Sequence, residues 1–254
     1  MKLPRTPSFR LDGRRALIAG ASSGIGLGCA VALAEQGAHV VLAARQAAPL
    51  AEAVAAITAA GFSAEALVLD IADVEATAAA LATQPAFDVL LNSAGTARHS
   101  AALDTTPADF DAVSAVNFRG AYFLATNVAR RLIAEGRPGS IITISSQMGH
   151  VGGIDRAVYA ATKHAVEGFT KAMAIEWGRH RIRVNSICPT FIVTPLTQST
   201  FDNPERRAWI EAKIKLGRIG EVGDIMGAVA YLASDASALV TGAALMVDGG
   251  WTAD

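Results

Sequence analysis

Seven short apolar runs punctuate this chain, separated by longer, alanine-rich stretches whose apolar residues recur at helical spacing. The runs fall at 16–19, 39–43, 66–69, 89–91, 140–144, 183–187 and 244–247, and most are apolar on both faces. A strand of that kind has to be covered on both sides, as in a parallel sheet enclosed by two helix layers. The intervening stretches predict helices near 25–36, 48–60, 74–82, 107–135, 157–178 and 222–233, so strand and helix alternate as repeated βα units. Thr106-Pro107 reads as a helix N-cap followed by proline at the first helical position. The expectation is an α/β fold, a doubly wound parallel sheet of Rossmann type. No linker, repeat or low-complexity tract divides 1–254, which predicts a single domain. With 254 residues, 52% hydrophobic and 18% charged, the chain has ample material for one such core.

Composition narrows the function classes. The net charge is −1 and Lys and Arg are scattered, so there is no electrostatic footprint for nucleic acid or an anionic membrane. Cys29 and Cys188 lie far apart, which suggests neither a disulfide framework nor a metal site, and no His or Cys cluster has metal-ligand spacing. The first ten residues hold no apolar stretch suited to a signal peptide, and no run is long enough to span a bilayer. These features predict a cytoplasmic protein whose partner is a small molecule.

The first strand runs directly into Gly20-Ala-Ser-Ser-Gly24-Ile-Gly26 and then into a helix. Glycines let backbone N–H groups approach a pyrophosphate, and the helix N-terminus adds partial positive charge. Placed after the first strand of a βα series, the loop predicts a dinucleotide site. About 20 residues further on, the end of the second strand meets the adenosine ribose in such sites. Here it reads Ala43-Ala44-Arg45, with no carboxylate to repel a 2′-phosphate and a guanidinium able to bind one. Ser22 offers a further hydroxyl donor. NADP is therefore favoured, and NAD stays acceptable if Arg45 stacks on adenine or faces solvent.

In the second half stands Tyr159-Ala-Ala-Thr-Lys163, two residues one helical turn apart on one face. A phenol is a poor acid or base near neutrality, and a neighbouring ammonium favours its ionised form. Thirteen residues before the tyrosine is Ser146, at the C-terminal end of a predicted strand, where parallel sheets bind ligands. A hydroxyl there is placed to bind a substrate carbonyl oxygen, although turn capping is the commoner use. Ser145 competes for the role, since strand alternation sends the two opposite ways.

Gly20-x-x-x-Gly24-x-Gly26, Asn92-Ser-Ala-Gly95, Asn117, Ser146 and Tyr159-x-x-x-Lys163 together resemble the short-chain dehydrogenase/reductase family in its compact form, over essentially the whole chain. The resemblance implies that Tyr159 is the general acid/base. Lys163 would assist it and bind the nicotinamide ribose, Ser146 would polarise the substrate carbonyl, and Asn117 would hold a water for proton relay. It further implies cofactor contacts from Gly20, Ser22, Ser23, Gly24, Ile25 and Gly26, then from Arg45, Asp70 and Ile71. Asn92, Ala94 and Gly95 would wall the adenine side, and Pro189, Ile192 and Thr194 the nicotinamide. Val247-Asp-Gly-Gly250 resembles the edge that builds the family's common homotetramer. Ala19, Ser93 and Thr190 depart from the family pattern, with Thr190 in place of a glycine and Ser93 in place of an asparagine.

The segment 190–221 breaks the βα rhythm after a strand's C-terminal end and predicts a substrate lid. Gln147, His150, Arg156 and Phe191 are candidate substrate contacts, with Phe201, Arg206, Arg207 and Trp209 also available from the lid. Polar and basic residues suit a sugar, sugar acid or hydroxy acid undergoing alcohol–carbonyl interconversion. The alternatives are a 3-oxoacyl thioester reductase, a bulky apolar ketone as substrate, and, in another class, a non-catalytic nucleotide-binding or sensing protein.

Overall fold

In the central strands, alternate side chains fill two separate apolar layers, which is why these runs become strands. The computed structural model describes Met1 and residues 3–253. Seven strands form one sheet: β1 Arg15–Ala19, β2 His39–Ala44, β3 Ala64–Val68, β4 Val89–Asn92, β5 Gly139–Ile144, β6 Ile182–Pro189 and β7 Ala244–Val247. All pairings are parallel, in the order β3-β2-β1-β4-β5-β6-β7. Ile18, Leu42 and Ile142 point into one layer, where they meet Leu33 of helix α1 (Gly24–Glu35). Their neighbours Leu17, Val41 and Ile141 point into the other, against Leu124, Val128 and Val166. This is the doubly wound parallel sheet expected, and every predicted strand lies within two residues of an observed one.

The remaining helices are α2 Ala47–Ala59, α3 Val74–Ala82, α4 Pro107–Ser114, α5 Ala121–Ala134, α6 Ala157–Trp177, α7 Gln198–Phe201, α8 Pro204–Lys213 and α9 Val222–Ala233. Thr106 caps α4 as expected, its hydroxyl accepting the Asp109 N–H at 3.1 Å. The helix predicted across 107–135 is not uniform. Between α4 and α5 the backbone widens into a π turn over Ala115–Gly120. The turn coincides with a close backbone approach, since a Cβ at Gly120 would lie 2.5 Å from the Ile71 carbonyl oxygen. Wide turns of this type are rare inside helices and frequently lie at functional sites, and this one carries Asn117.

Segment 190–221 contains two helices absent from the sequence-based expectation. Asn203 caps α8, accepting the Arg206 N–H at 3.0 Å, and Pro204 opens the helix. That Asn-Pro pair was a readable start signal. The segment has a small core of its own, built from Phe201, Ile210, Ile214 and Ile219.

The chain winds outward from β1 to β3, then returns to place β4 on the other side of β1. Connections leaving β1 and β4 therefore diverge to opposite faces and open a crevice at the carboxyl ends of these strands. The two-layer packing predicts that Leu17→Ala lowers unfolding free energy by about 2–5 kcal/mol. Leu103→Ala, at a fully exposed site, should change it by about 0.5 kcal/mol or less. Urea unfolding of both variants checks this, and equal small losses would contradict the layer assignment.

Candidate active site

The crevice between β1 and β4 is lined by the glycine loop. Gly20 has a φ of +77°, and a Cβ there would sit 2.7 Å from the Ala94 backbone nitrogen. A Cβ at Gly26 would collide with the Gly20 carbonyl. Bare backbone at both positions folds the loop onto the start of α1, whose first N–H groups lack helical carbonyl partners. The resulting cleft has a volume of about 450 Å³. Gly20, Ser22, Ser23, Gly24, Ile25 and Gly26 line one side, and Arg45 stands at the rim beyond β2. Asp70, Ile71, Ala94, Gly95 and Thr194 line the remainder. Arg45 is exposed and makes no hydrogen bond or ion pair with any described residue. Asn92, Pro189 and Ile192 do not line the cleft. Asn92 braces the loop behind it, accepting the Ala94 N–H at 3.1 Å. Pro189 ends β6, and Ile192 is buried, bridging to Gly220.

At the inner end of the cleft the chain after Gly95 is clasped by Asn117. Its Oδ1 accepts the Thr96 N–H and its Nδ2 donates to the Thr96 carbonyl, both at 2.8 Å. The same amide reaches Thr162 Oγ1 at 3.3 Å, so α6 is held to the π turn. Lys163 is buried, with Nζ donating to the Ile144 carbonyl at 2.9 Å and lying 5.6 Å from the Tyr159 ring centroid. Ser146 caps the short turn after β5, its hydroxyl accepting the Met148 N–H at 3.1 Å. The capping use and the site location coexist, because Ser146 also lines a second cavity together with Tyr159. Strand alternation separates the two serines as expected: Ser145 is buried on the side of Cys188 and does not line this cavity.

This second cavity has a volume of about 220 Å³ and adjoins the large cleft at Leu196, which lines both. Gln147, Arg156 and Phe191, three of the candidate substrate contacts named from the sequence, line it. So does His99, which nothing in its local sequence marks. It arrives on the loop after β4, 60 residues before Tyr159, and meets that ring edge-on at a centroid separation of 6.3 Å. Arg156 Nη1 approaches His99 Nε2 at 2.6 Å. Desolvation, with the charges of Arg156 and Arg206, pushes the His99 imidazole down to about 4, so at neutral pH its ring is uncharged and accepts.

His150 is placed elsewhere. It turns behind β6, its Nε2 lying 3.5 Å from Cys188 Sγ and 3.7 Å from Glu167 Oε2. Three potential metal-ligating side chains thus meet where sequence spacing suggested none, a correction due to β6 and α6 packing side by side. Burial first, then Glu167, pushes the Cys188 thiol up to about 12. A protonated thiol donates to Glu167 rather than offering a thiolate. Ser186 donates to the same carboxylate at 2.8 Å, so the group forms a hydrogen-bonded brace. Phe201 is buried in the core of the 190–221 segment, Trp209 packs on Trp251, and Arg207 pairs with Glu211. Arg206 reaches the cavity only through its field, felt at His99 and Arg156.

Comparison with known proteins matches this architecture. Residues 20–252 match a family model described as enoyl-(acyl carrier protein) reductase. The chain is 40% identical over 245 residues to a D-erythrulose reductase of Gallus gallus, covering 96% of this chain and 98% of that protein. It is 38% identical over 248 residues to a gluconate 5-dehydrogenase of Gluconobacter oxydans, covering 96% of both. The crystal structure of a gluconate 5-dehydrogenase from Burkholderia cenocepacia, in complex with NADP and tartrate, superposes with a TM-score of 0.93 at 39% identity. It covers 97% of this chain and 98% of that one. With the glycine loop, the clasped Asn117 and the Ser146–Tyr159–Lys163 grouping in place, the chain belongs to the short-chain dehydrogenase/reductase family.

Proposed function

We propose that this protein interconverts a secondary alcohol and a carbonyl on a polar, hydroxyl-bearing substrate, with NADP as the favoured dinucleotide and NAD accepted. The observation that carries the proposal is that Tyr159 and Ser146 line one small cavity, which shares Leu196 in its wall with the glycine-lined cleft. The relatives named above act on a tetrulose and a sugar acid, which supports the polar class. So do the hydroxyl oxygens of Ser146, Tyr159, Ser199 and Thr200, residues that line the cavity. Those hydroxyls would gain no partner from the apolar part of an acyl thioester, the substrate class that the matched family model's description brings to mind.

The cleft fits a dinucleotide phosphate. Missing Cβ atoms at Gly20 and Gly26 keep the loop backbone accessible, and the Ser22 and Ser23 side chains are uncommitted. Arg45, free at the rim with no carboxylate at the end of β2, would hold the 2′-phosphate. Bound there, the dinucleotide supplies or accepts the hydride. Tyr159 gives its hydroxyl proton to the carbonyl oxygen during reduction and takes it back during oxidation. Ser146 donates to the same oxygen, and the Lys163 charge stabilises the negative charge that develops on the phenol oxygen. Asn117 acts by position: both ends of its amide hold Thr96 and Thr162 beside Lys163. Segment 190–221 supplies Phe191, Thr197 and Thr200 to the cavity wall, as a substrate lid would.

The protein is further proposed to be a cytoplasmic homotetramer. Two buried free thiols support a reducing compartment. Among the described residues no helix is long and apolar enough to cross a membrane. Exposed Phe118, Tyr122 and Phe123, together with the open edge of β7, support self-association.

Tyr159→Phe is expected to lower kcat by about 10²–10⁴-fold while leaving dinucleotide affinity nearly intact. Lys163→Met should damage both. Near-normal turnover in Tyr159→Phe would overturn the mechanism. Ala44→Asp combined with Arg45→Ile should shift the NADP-over-NAD preference ten- to a hundredfold, the size of a lost charged contact of about 1.5–3 kcal/mol. A native enzyme already selective for NAD would refute the role given to Arg45. Light scattering should return four times the mass of one chain, and a monomer would refute the assembly.

A further inference from the structure

We propose that the substrate carries a carboxylate and that Arg156 is the residue that binds it, with neutral His99 holding the guanidinium in position. The inference rests on the cavity beside Tyr159 being the substrate site, and it names the class of molecule bound there.

Arg156 is a buried cation without a counter-ion. Only 9% of the residue is exposed, yet no carboxylate of a described residue lies within ion-pair distance. Its protein partners are the uncharged His99 ring and the face of Phe191, 5.3 Å from the guanidinium carbon. Burial lowers its basicity; Asp155 and Tyr159 offset this through their fields, and the Arg206 charge opposes them. A buried charge is costly unless paired, and the cavity leaves room for the missing partner. Backbone strain is held at the same place: Asp155, immediately before Arg156, has a φ of 59°. Strain of this kind persists where surrounding structure over-determines it, often at ligand sites.

The chemistry of the missing partner follows from what the wall offers. Arg156 spends one Nη1 donor on His99 and has others in the planar fork that matches a carboxylate. Beside it, the hydroxyl-bearing residues Ser146, Ser199 and Thr200 line the same cavity. One cation with several neutral donors and acceptors describes the complement of a hydroxylated carboxylic acid rather than a neutral ketose. The cavity, about 220 Å³, suits a compact molecule of that kind. His99 is a positioning residue: its uncharged Nε2 takes one guanidinium N–H while its ring stands edge-on to Tyr159. The anion is thereby held at a set distance from the phenol.

Two measurements test this. In the first, kcat/KM is compared for hydroxy- and keto-acids of four to six carbons against neutral polyols and ketoses of equal length, and against their phosphate esters. The acids should lead by tenfold or more. Arg156→Gln should cut the acid-to-neutral ratio at least tenfold, through KM, and Arg156→Lys should restore part of it. His99→Phe should raise KM for acids while kcat is preserved. A wild-type preference for neutral sugars or phosphate esters overturns the proposal, as does an Arg156→Gln loss that is equal for both classes. In the second, tartrate binding to NADP-loaded Tyr159→Phe enzyme is followed by calorimetry, which needs no turnover. Binding should be present and should weaken tenfold or more with Arg156→Gln. Its absence overturns the carboxylate site even if neutral sugars are reduced. Binding without turnover by the wild type would overturn the proposed reaction and leave the site standing.

Discussion

The exits of β1 and β4 press backbone against backbone, with no room for a Cβ where Gly20 meets Ala94. That contact sets the geometry of both cavities. It folds the glycine loop over the start of α1, and it sends Ser93–Gly95 along the floor of the dinucleotide cleft. One residue later Asn117 grips the Thr96 backbone at both N–H and carbonyl. Three residues beyond that, His99 reaches Arg156. A single stretch of chain therefore links the glycine-lined cleft to the proposed substrate cavity. It is held at its two ends by packing without side chains and by an amide clasp.

The molecule treats its buried charges in two distinct ways. Glu167, behind β6, receives hydrogen bonds from Ser186 and Cys188 and has His150 close by, so its charge is satisfied within the fold. Lys163 is anchored to a main-chain carbonyl and points its charge toward the Tyr159 ring. Arg156 has no such settlement: its direct partners are a neutral ring and an aromatic face, and no described carboxylate pairs with it. Low local dielectric makes complete satisfaction rigidifying and incomplete satisfaction costly. The distribution of these costs separates residues that brace the fold from residues that await a ligand.

Local pattern carried much of the site as well as the fold. The glycine loop, Arg45 and the Tyr159–Lys163 spacing are short-range features, and the cavities are built around them. Residues whose placement depends on non-local packing were another matter. His150 lies four residues after Ser146, close enough to be proposed for the cavity, but the turn over Gln147–Gly149 swings it behind β6. His99 lies 60 residues before Tyr159 and joins it only because β4 and β5 are neighbours in the sheet. The helices of 190–221 were announced by Asn203-Pro204 but obscured by a mixture of aromatics and charges that mimics an irregular loop.

The amino-acid sequence by itself determined the seven strands, their parallel arrangement and the crevice at the switch of strand order. The reason is that two-sided apolar runs and amphipathic helices leave few ways to bury both faces. It also determined the chemical types at the proposed reacting centre, since Tyr159 and Lys163 share a helix face and Ser146 follows the end of a strand. Only the tertiary structure decided which charges are paired. The π turn aims Asn117 at Thr96, β6 and α6 enclose Glu167, and the loop after β4 brings an uncharged histidine, rather than a carboxylate, to Arg156. Such pairings depend on distances between segments far apart in the chain, and a difference of a few ångströms separates a satisfied ion from one that requires a substrate.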